Sequence, residues 1–200
     1  MANVRPITLL EIVRKIFTKF ISTQLTDILQ DHNILCNANY CELKGESTAS
    51  PIRLINNLIE DAKENSKELW IVLQDISKAF DSISLDFLEL ALICIRLPHH
   101  AVRCIINLFK GRIVQVATAF RLSPSFQAED GIDQGDSLSP LLWRIYYDLL
   151  LTTITAAPNK GYNMECVWPH NSHDPDTWET FSHRVAASAY MDDTAWIDCS

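Results

Sequence analysis

Asp75, Asp192 and Asp193 are the residues whose types and surroundings could do chemistry. Asp75 closes the run Leu69-Trp70-Ile71-Val72-Leu73-Gln74, whose branched and aromatic residues predict a buried strand. Asp192 and Asp193 stand between Ala189-Tyr190-Met191 and Thr194-Ala195-Trp196-Ile197, two strand-like runs joined by a tight acidic turn. A carboxylate embedded in such surroundings loses several kcal/mol of hydration unless it meets a cation or a proton. No Lys or Arg lies within seven residues of the acidic pair on either side, so a divalent cation becomes a candidate partner. Two strands delivering three acids could hold two magnesium ions for phosphoryl transfer. Taken singly, each acid fits better as an ordinary polar turn or a solvated strand end. The residues between them carry the chemical reading.

Several elements must position these acids. Thr8-Leu9-Leu10-Glu11 has the spacing of a capping box and predicts a helix to about Leu29, with Leu9, Ile12, Ile16, Phe20 and Ile28 as its buried stripe. Lys44 to Thr48 is a loop able to present amides and hydroxyls, and Pro51 suits the first turn of a helix to about Asn65. After the first strand, Ser77 to Asp81 leads into a helix from about Leu85 to Ile95. Pro98 separates that helix from another, which Gly111 closes. Ile113 to Phe120 and Ser125 to Ile132 read as a hairpin leading to Gln134-Gly135-Asp136. Ser139-Pro140 starts a helix from Leu141 to about Thr155, apolar all round and so expected to be buried. Residues 157–183, rich in Pro, Asn, Asp and His, lack a period and read as an exposed connection. Within them Cys166, His170, His173 and His183 match no metal-ligand spacing.

Composition narrows the class. Two hundred residues, nearly half of them apolar, suffice for one large domain or two small lobes. The six cysteines are scattered without CxxC spacing and read as reduced thiols. No run approaches the ~20 apolar residues of a membrane span, and no signal-peptide pattern opens the chain. The expectation is an intracellular protein, nuclear or cytoplasmic, with no membrane partner. The five glycines form neither GxGxxG nor GxxxxGK[ST], which disfavours Rossmann or P-loop nucleotide binding. A net charge of −8 argues against a simple nucleic-acid-binding module. Its distribution does not: Leu90 to Ala128 contains no Asp or Glu but holds Arg96, Arg103, Lys110, Arg112 and Arg121. A basic face beside an acidic metal site suits an enzyme that holds a polyanion near its cations.

The motifs then fall into an order. Arg5-Pro6-Ile7-Thr8-Leu9-Leu10 is followed by Gly45-Glu46-Ser47-Thr48 and by Asp75-Ile76-Ser77-Lys78-Ala79-Phe80-Asp81. Next come Gly131-Ile132-Asp133-Gln134-Gly135-Asp136-Ser137-Leu138-Ser139-Pro140-Leu141-Leu142 and Ala189-Tyr190-Met191-Asp192-Asp193. From Arg5 to its last residues the chain resembles the reverse transcriptase domain of non-LTR (LINE-like) retrotransposons. The resemblance implies an α+β right-hand polymerase: a partial fingers lobe over residues 1–68, and a palm with an antiparallel sheet over 69–200 that includes fingers elements at about 96–135. The chain would be truncated after the YxDD hairpin, with the thumb absent and either supplied elsewhere or lost. The implied activity is RNA-directed DNA synthesis with an RNA template, a DNA primer and dNTPs, using two Mg2+ ions or Mn2+ in their place. Asp75, Asp192 and Asp193 would be the catalytic metal ligands, Asp193 the weaker. Phe80 would lie under the incoming sugar, Gln134 and Gly135 would face the nucleotide and template base, and Arg5 would pair with the triphosphate. Asp133 and Asp136 depart from the family, which often has a basic residue and a small or thiol residue at those positions. Two other readings share these features: a catalytically inactive remnant that binds nucleic acid or a protein, and a two-metal nuclease or RNA-templated RNA polymerase.

Overall fold

The computed structural model describes residues 7–169 and 178–199. The chain forms two compact units, each assembled from separated stretches: Met1–Leu35 with Ser77–Leu149, and Cys36–Ile76 with Leu150–Ser200.

The first unit is mainly helical. Helix α1 (Ile12–Asp31) begins without the expected capping box: Glu11 itself occupies the N-cap and makes no side-chain cap bond. Its buried face is Thr18, Ser22, Leu25 and Leu29, whereas Ile12, Ile16, Phe20 and Ile28 are all more than half exposed and Leu9 reaches 86%. The expected stripe therefore faces outward. The cause lies in Arg14, one turn before Thr18, which forms an ion pair with buried Asp133 and turns the Arg14-Thr18-Ser22 side of the helix inward. Helix α3 (Leu85–Cys94) follows the predicted bounds closely, whereas α4 (His99–Asn107) starts after Pro98 as predicted but ends four residues before Gly111. The Asp130 carboxylate accepts the Leu85 N–H at 3.1 Å and satisfies an amide at the α3 start. The hairpin is shorter than predicted, pairing β2 (Arg112–Val114) with β3 (Phe126–Ala128). Helix α5 (Ser139–Ala156) is buried nearly all round through Asp148, as its composition requires.

The second unit holds helix α2 (Ala49–Glu64) and five strands. Strand β1 (Trp70–Asp75) is not buried: Trp70, Val72 and Leu73 are 60%, 61% and 77% exposed. It is the outer strand of a three-stranded antiparallel sheet ordered β1-β7-β6, where β6 is Ala187–Tyr190 and β7 is Asp193–Asp198. An edge strand has one neighbour, so its branched side chains gain contacts on one flank only. Residues 157–183 are also corrected, because most of that stretch forms an antiparallel hairpin of β4 (Tyr162–Pro169) and β5 (Trp178–Val185). Tyr162 and Val185 at its base enter a core with Leu58, Ala62 and Ile197. Among the described side chains, Asn163, Glu165, Glu179 and residues 181–184 are exposed, and so gave no hydrophobic period. No helix among the described residues is long and apolar enough to cross a membrane.

Candidate active site

Pairing between β1 and β7 sets Asp75 directly opposite Asp193, and pairing between β6 and β7 sets Tyr190 opposite the same residue. Opposed residues in antiparallel strands point to one face, so Tyr190, Asp193 and Asp75 form a row across the sheet. Asp192 lies in the two-residue turn between β6 and β7, and its carbonyl accepts the Ile76 N–H at 3.2 Å. Met191 completes the turn at φ +58°, a left-handed conformation unusual for a residue with a Cβ. Asp75 and Asp193 are exposed and Asp192 half-buried, so the carboxylates are more hydrated than strand burial implied. No described Lys or Arg forms an ion pair with any of the three. Three carboxylates with no competing cation suit a hard divalent ion. Their side chains do not converge as they stand: among the described residues no three His, Cys, Asp or Glu groups could hold a metal.

A second strand-like contact braces the turn. The Tyr40 N–H donates to the Ala189 carbonyl at 3.0 Å, and the Ala189 N–H donates to the Ala38 carbonyl at 2.7 Å. Fully buried Asn39 accepts the Cys41 N–H through its Oδ1 at 3.0 Å. The buried Cys41 thiol then packs 2.8 Å from the Met191 Sδ. Residues 38–41 carried no sequence signal for this role.

In the other unit three motifs meet. The Phe80 carbonyl accepts the Ile132 N–H at 2.9 Å, and the Gly131 N–H donates to the Ile83 carbonyl at 2.9 Å. A Cβ at Gly131 would lie 3.0 Å from the Asp81 carbonyl oxygen, at φ +83°. Glycine is therefore required where these two loops touch. The Thr8 N–H donates to the Gln134 carbonyl at 2.8 Å, which brings the segment after Arg5 beside Gln134 and Gly135. Arg5 itself lies outside the described residues. Phe80 is half-buried and meets Trp143 edge-on at 6.4 Å between centroids. Gln134 is half-buried and Gly135 exposed.

Asp133 and Asp136 are both buried and both pair internally. Asp133 binds Arg14 at 2.6 Å and also Arg112, while Asp136 Oδ2 lies 3.5 Å from Arg14. Arg112 additionally donates to the carbonyls of Phe109, Asp130 and Gly131. Its guanidinium is thus committed inside the unit, whereas Arg96, Arg103, Lys110 and Arg121 are exposed. Of the histidines named with Cys166, His170 and His173 lie outside the described residues and His183 is exposed on β5.

Away from these loops, Tyr162 donates its hydroxyl to Asp61 at 2.5 Å, and Lys67 lies over the Tyr162 ring. Burial and the Asp61 carboxylate push the Tyr162 hydroxyl well above its ordinary pKa. Asp198 is held below the usual carboxylate range by the Gly161 N–H and by Lys160.

A mixed helix and sheet chain thus sets Asp75 against Asp193 across paired strands, with Asp192 in the hairpin turn beside them. The chain belongs to the reverse transcriptase (RNA-dependent DNA polymerase) family, whose family model matches residues 1–197. It is 26% identical over 165 residues to a Pol polyprotein of the type-1 retrotransposable element R2 from Popillia japonica, covering 80% of this chain and 22% of that protein. It is 27% identical over 148 residues to a probable RNA-directed DNA polymerase from transposon X-element of Drosophila melanogaster, covering 72% and 16%. The chain thus spans about a fifth or less of the curated relatives it matches. Among solved structures, apo telomerase from Candida tropicalis, truncated from the C-terminal domain, shares the fold at TM-score 0.58 and 12% identity, over 94% of this chain and 34% of that one. Telomerase from Candida albicans in complex with a fragment of telomeric RNA matches at TM-score 0.55 and 11% identity, over 92% and 30%.

Proposed function

We propose that the chain is the fingers-and-palm core of an RNA-directed DNA polymerase, with Asp75, Asp192 and Asp193 as its metal-binding carboxylates. The carrying observation is the register that faces Asp75 with Asp193 and leaves Asp192 in the left-handed turn beside them. Enzymes of this family use divalent metal ions; here the ligands would hold two Mg2+, or Mn2+. When bound, such ions lower the pKa of a primer 3′-hydroxyl and neutralise the triphosphate and its leaving group. The chain's own residues would do the positioning. Phe80 would support the sugar and crowd a 2′-hydroxyl, Gln134 and Gly135 would face the nucleotide and template base, and Arg5 would pair with the triphosphate. Arg96, Arg103, Lys110 and Arg121 would follow template and primer phosphates. In this reading the sheet of β1, β7 and β6 is the palm surface, residues 1–68 contribute to the fingers, and the enzyme works inside the cell on an RNA template, a DNA primer and dNTPs.

The test is primer extension on an RNA template with Mg2+ and dNTPs, run beside Asp192→Asn. Extension that is lost in the variant supports the reading; a folded protein that never extends a primer opposes it. The open side-chain arrangement of the three acids favours a second reading, a folded retroelement remnant that binds nucleic acid or protein without catalysis. Binding of an RNA–DNA duplex that is indifferent to both Mg2+ and Asp192→Asn would select that one.

A further inference from the structure

We propose that Arg14, Asp133 and Arg112 form a buried charge clamp that fixes the Gln134–Gly135 loop for nucleotide capture, with Asp133 as its positioning residue. This rests on the reading of Gln134 and Gly135 as nucleotide-facing. Asp133 is 4% exposed; one carboxylate oxygen accepts from Arg14 at 2.6 Å and the other from Arg112. Both guanidiniums also lie over the ring of fully buried Phe109, 5.5 and 5.6 Å from its centroid. Three segments far apart in sequence, α1, the start of β2 and the loop before α5, thus meet at one carboxylate.

The loop is held on its other flank by backbone. The Asp133 carbonyl accepts the Ser139 hydroxyl at 2.7 Å, and the Gln134 carbonyl accepts the Thr8 N–H. At Gly135, φ is +111° and a Cβ would stand 3.3 Å from the Thr8 carbonyl oxygen. Beneath an open face there is therefore a support with directional bonds at adjacent residues. Buried ion pairs contribute little net stability compared with apolar packing, but their bond directions specify geometry. With Asp136 counted, two guanidiniums meet two carboxylates, so the clamp adds no net negative charge beside a triphosphate.

The test compares the 200-residue chain with Asp133→Asn and with Arg14→Met/Asp133→Asn, a charge-balanced pair that keeps the fold testable if the single variant unfolds. Three quantities are read: amide exchange in residues 129–138, Mn2+ affinity, and KM for dNTP against kcat in primer extension. The clamp predicts that exchange in 129–138 rises about tenfold or more and KM for dNTP rises about tenfold, with kcat little changed. Mn2+ affinity stays at the wild-type value, because Asp75, Asp192 and Asp193 belong to the other unit. Unchanged exchange in a folded double variant overturns the clamp. Raised exchange with an unchanged KM overturns the positioning role and leaves a structural ion pair. If the wild-type chain neither binds nor incorporates dNTP, the nucleotide-facing reading fails and the positioning role with it, while exchange still decides the clamp.

Discussion

Met191 adopts a backbone conformation that costs a residue with a Cβ about 1 kcal/mol or more, at the tip of a hairpin where glycine is the usual occupant. Such strain persists only where surrounding contacts impose it, and here the Cys41 thiol and the Tyr40–Ala189 pairing supply them. Asp75 and Asp193 face each other as like charges, a cross-strand arrangement that is itself unfavourable. Asp75→Asn should therefore raise stability slightly, by up to about 1 kcal/mol, in metal-free buffer. The same change should abolish Mn2+ binding, as should Asp192→Asn at unchanged stability. Chemical denaturation and electron paramagnetic resonance read the two effects, and a large destabilisation would mark the acids as structural acceptors. Phe80→Val should raise ribonucleotide incorporation about tenfold or more relative to dNTP if the ring crowds the sugar. The three acids and Phe80 stood out as candidates because each sits in a contiguous motif. Arg14 was not legible as a partner of Asp133, because no local pattern links residues 119 positions apart.

Elements with a clear boundary signal were the readable ones. Pro98, the N-cap of α4, and Pro140, in the first turn of α5, marked the starts of those helices, where proline's missing N–H forfeits no intrahelical bond. Helix α1 was placed well but turned the wrong way. Apolar residues occupy most of its circumference, so the side facing the core was chosen by one arginine's ion pair. The β4–β5 hairpin was missed because exposed polar residues such as Asn163, Glu165, Ser182 and His183 leave little contrast between its sides. Two predictions belong to these elements. Gly131→Ala should destabilise the first unit by about 2 kcal/mol or more, since it combines a left-handed φ with a 3.0 Å approach to the Asp81 carbonyl. Thermal melting followed by far-ultraviolet circular dichroism measures it. Tyr162 supplies a pH signature in the second unit. Its hydroxyl stays protonated in the folded chain at pH values where the unfolded chain has lost that proton, so its contribution is intact below about pH 10 and declines above it. Melting temperature should accordingly fall more steeply above pH 10 in the wild-type chain than in Tyr162→Phe.

Across the whole molecule, charge follows the units. The first contains eleven Lys and Arg against eleven Asp and Glu, the second six against fourteen, so the net −8 resides entirely with the unit that carries the three acids. Mg2+ should stabilise the chain beyond an equal ionic strength of Na+, by about 2.7 kcal/mol at a hundred times its dissociation constant. That excess should vanish in Asp192→Asn. The edge position of β1 also bears on how the protein is made. Its only partner among the described strands, β7, is synthesised roughly 120 residues later, which at about 5–20 residues per second is some 6–24 seconds of ribosome time. During that interval Trp70, Val72 and Leu73 have an unpaired backbone beside them. Slowing elongation between the codons for residues 76 and 193 should therefore lower the yield of native protein, whereas slowing it before residue 69 should not.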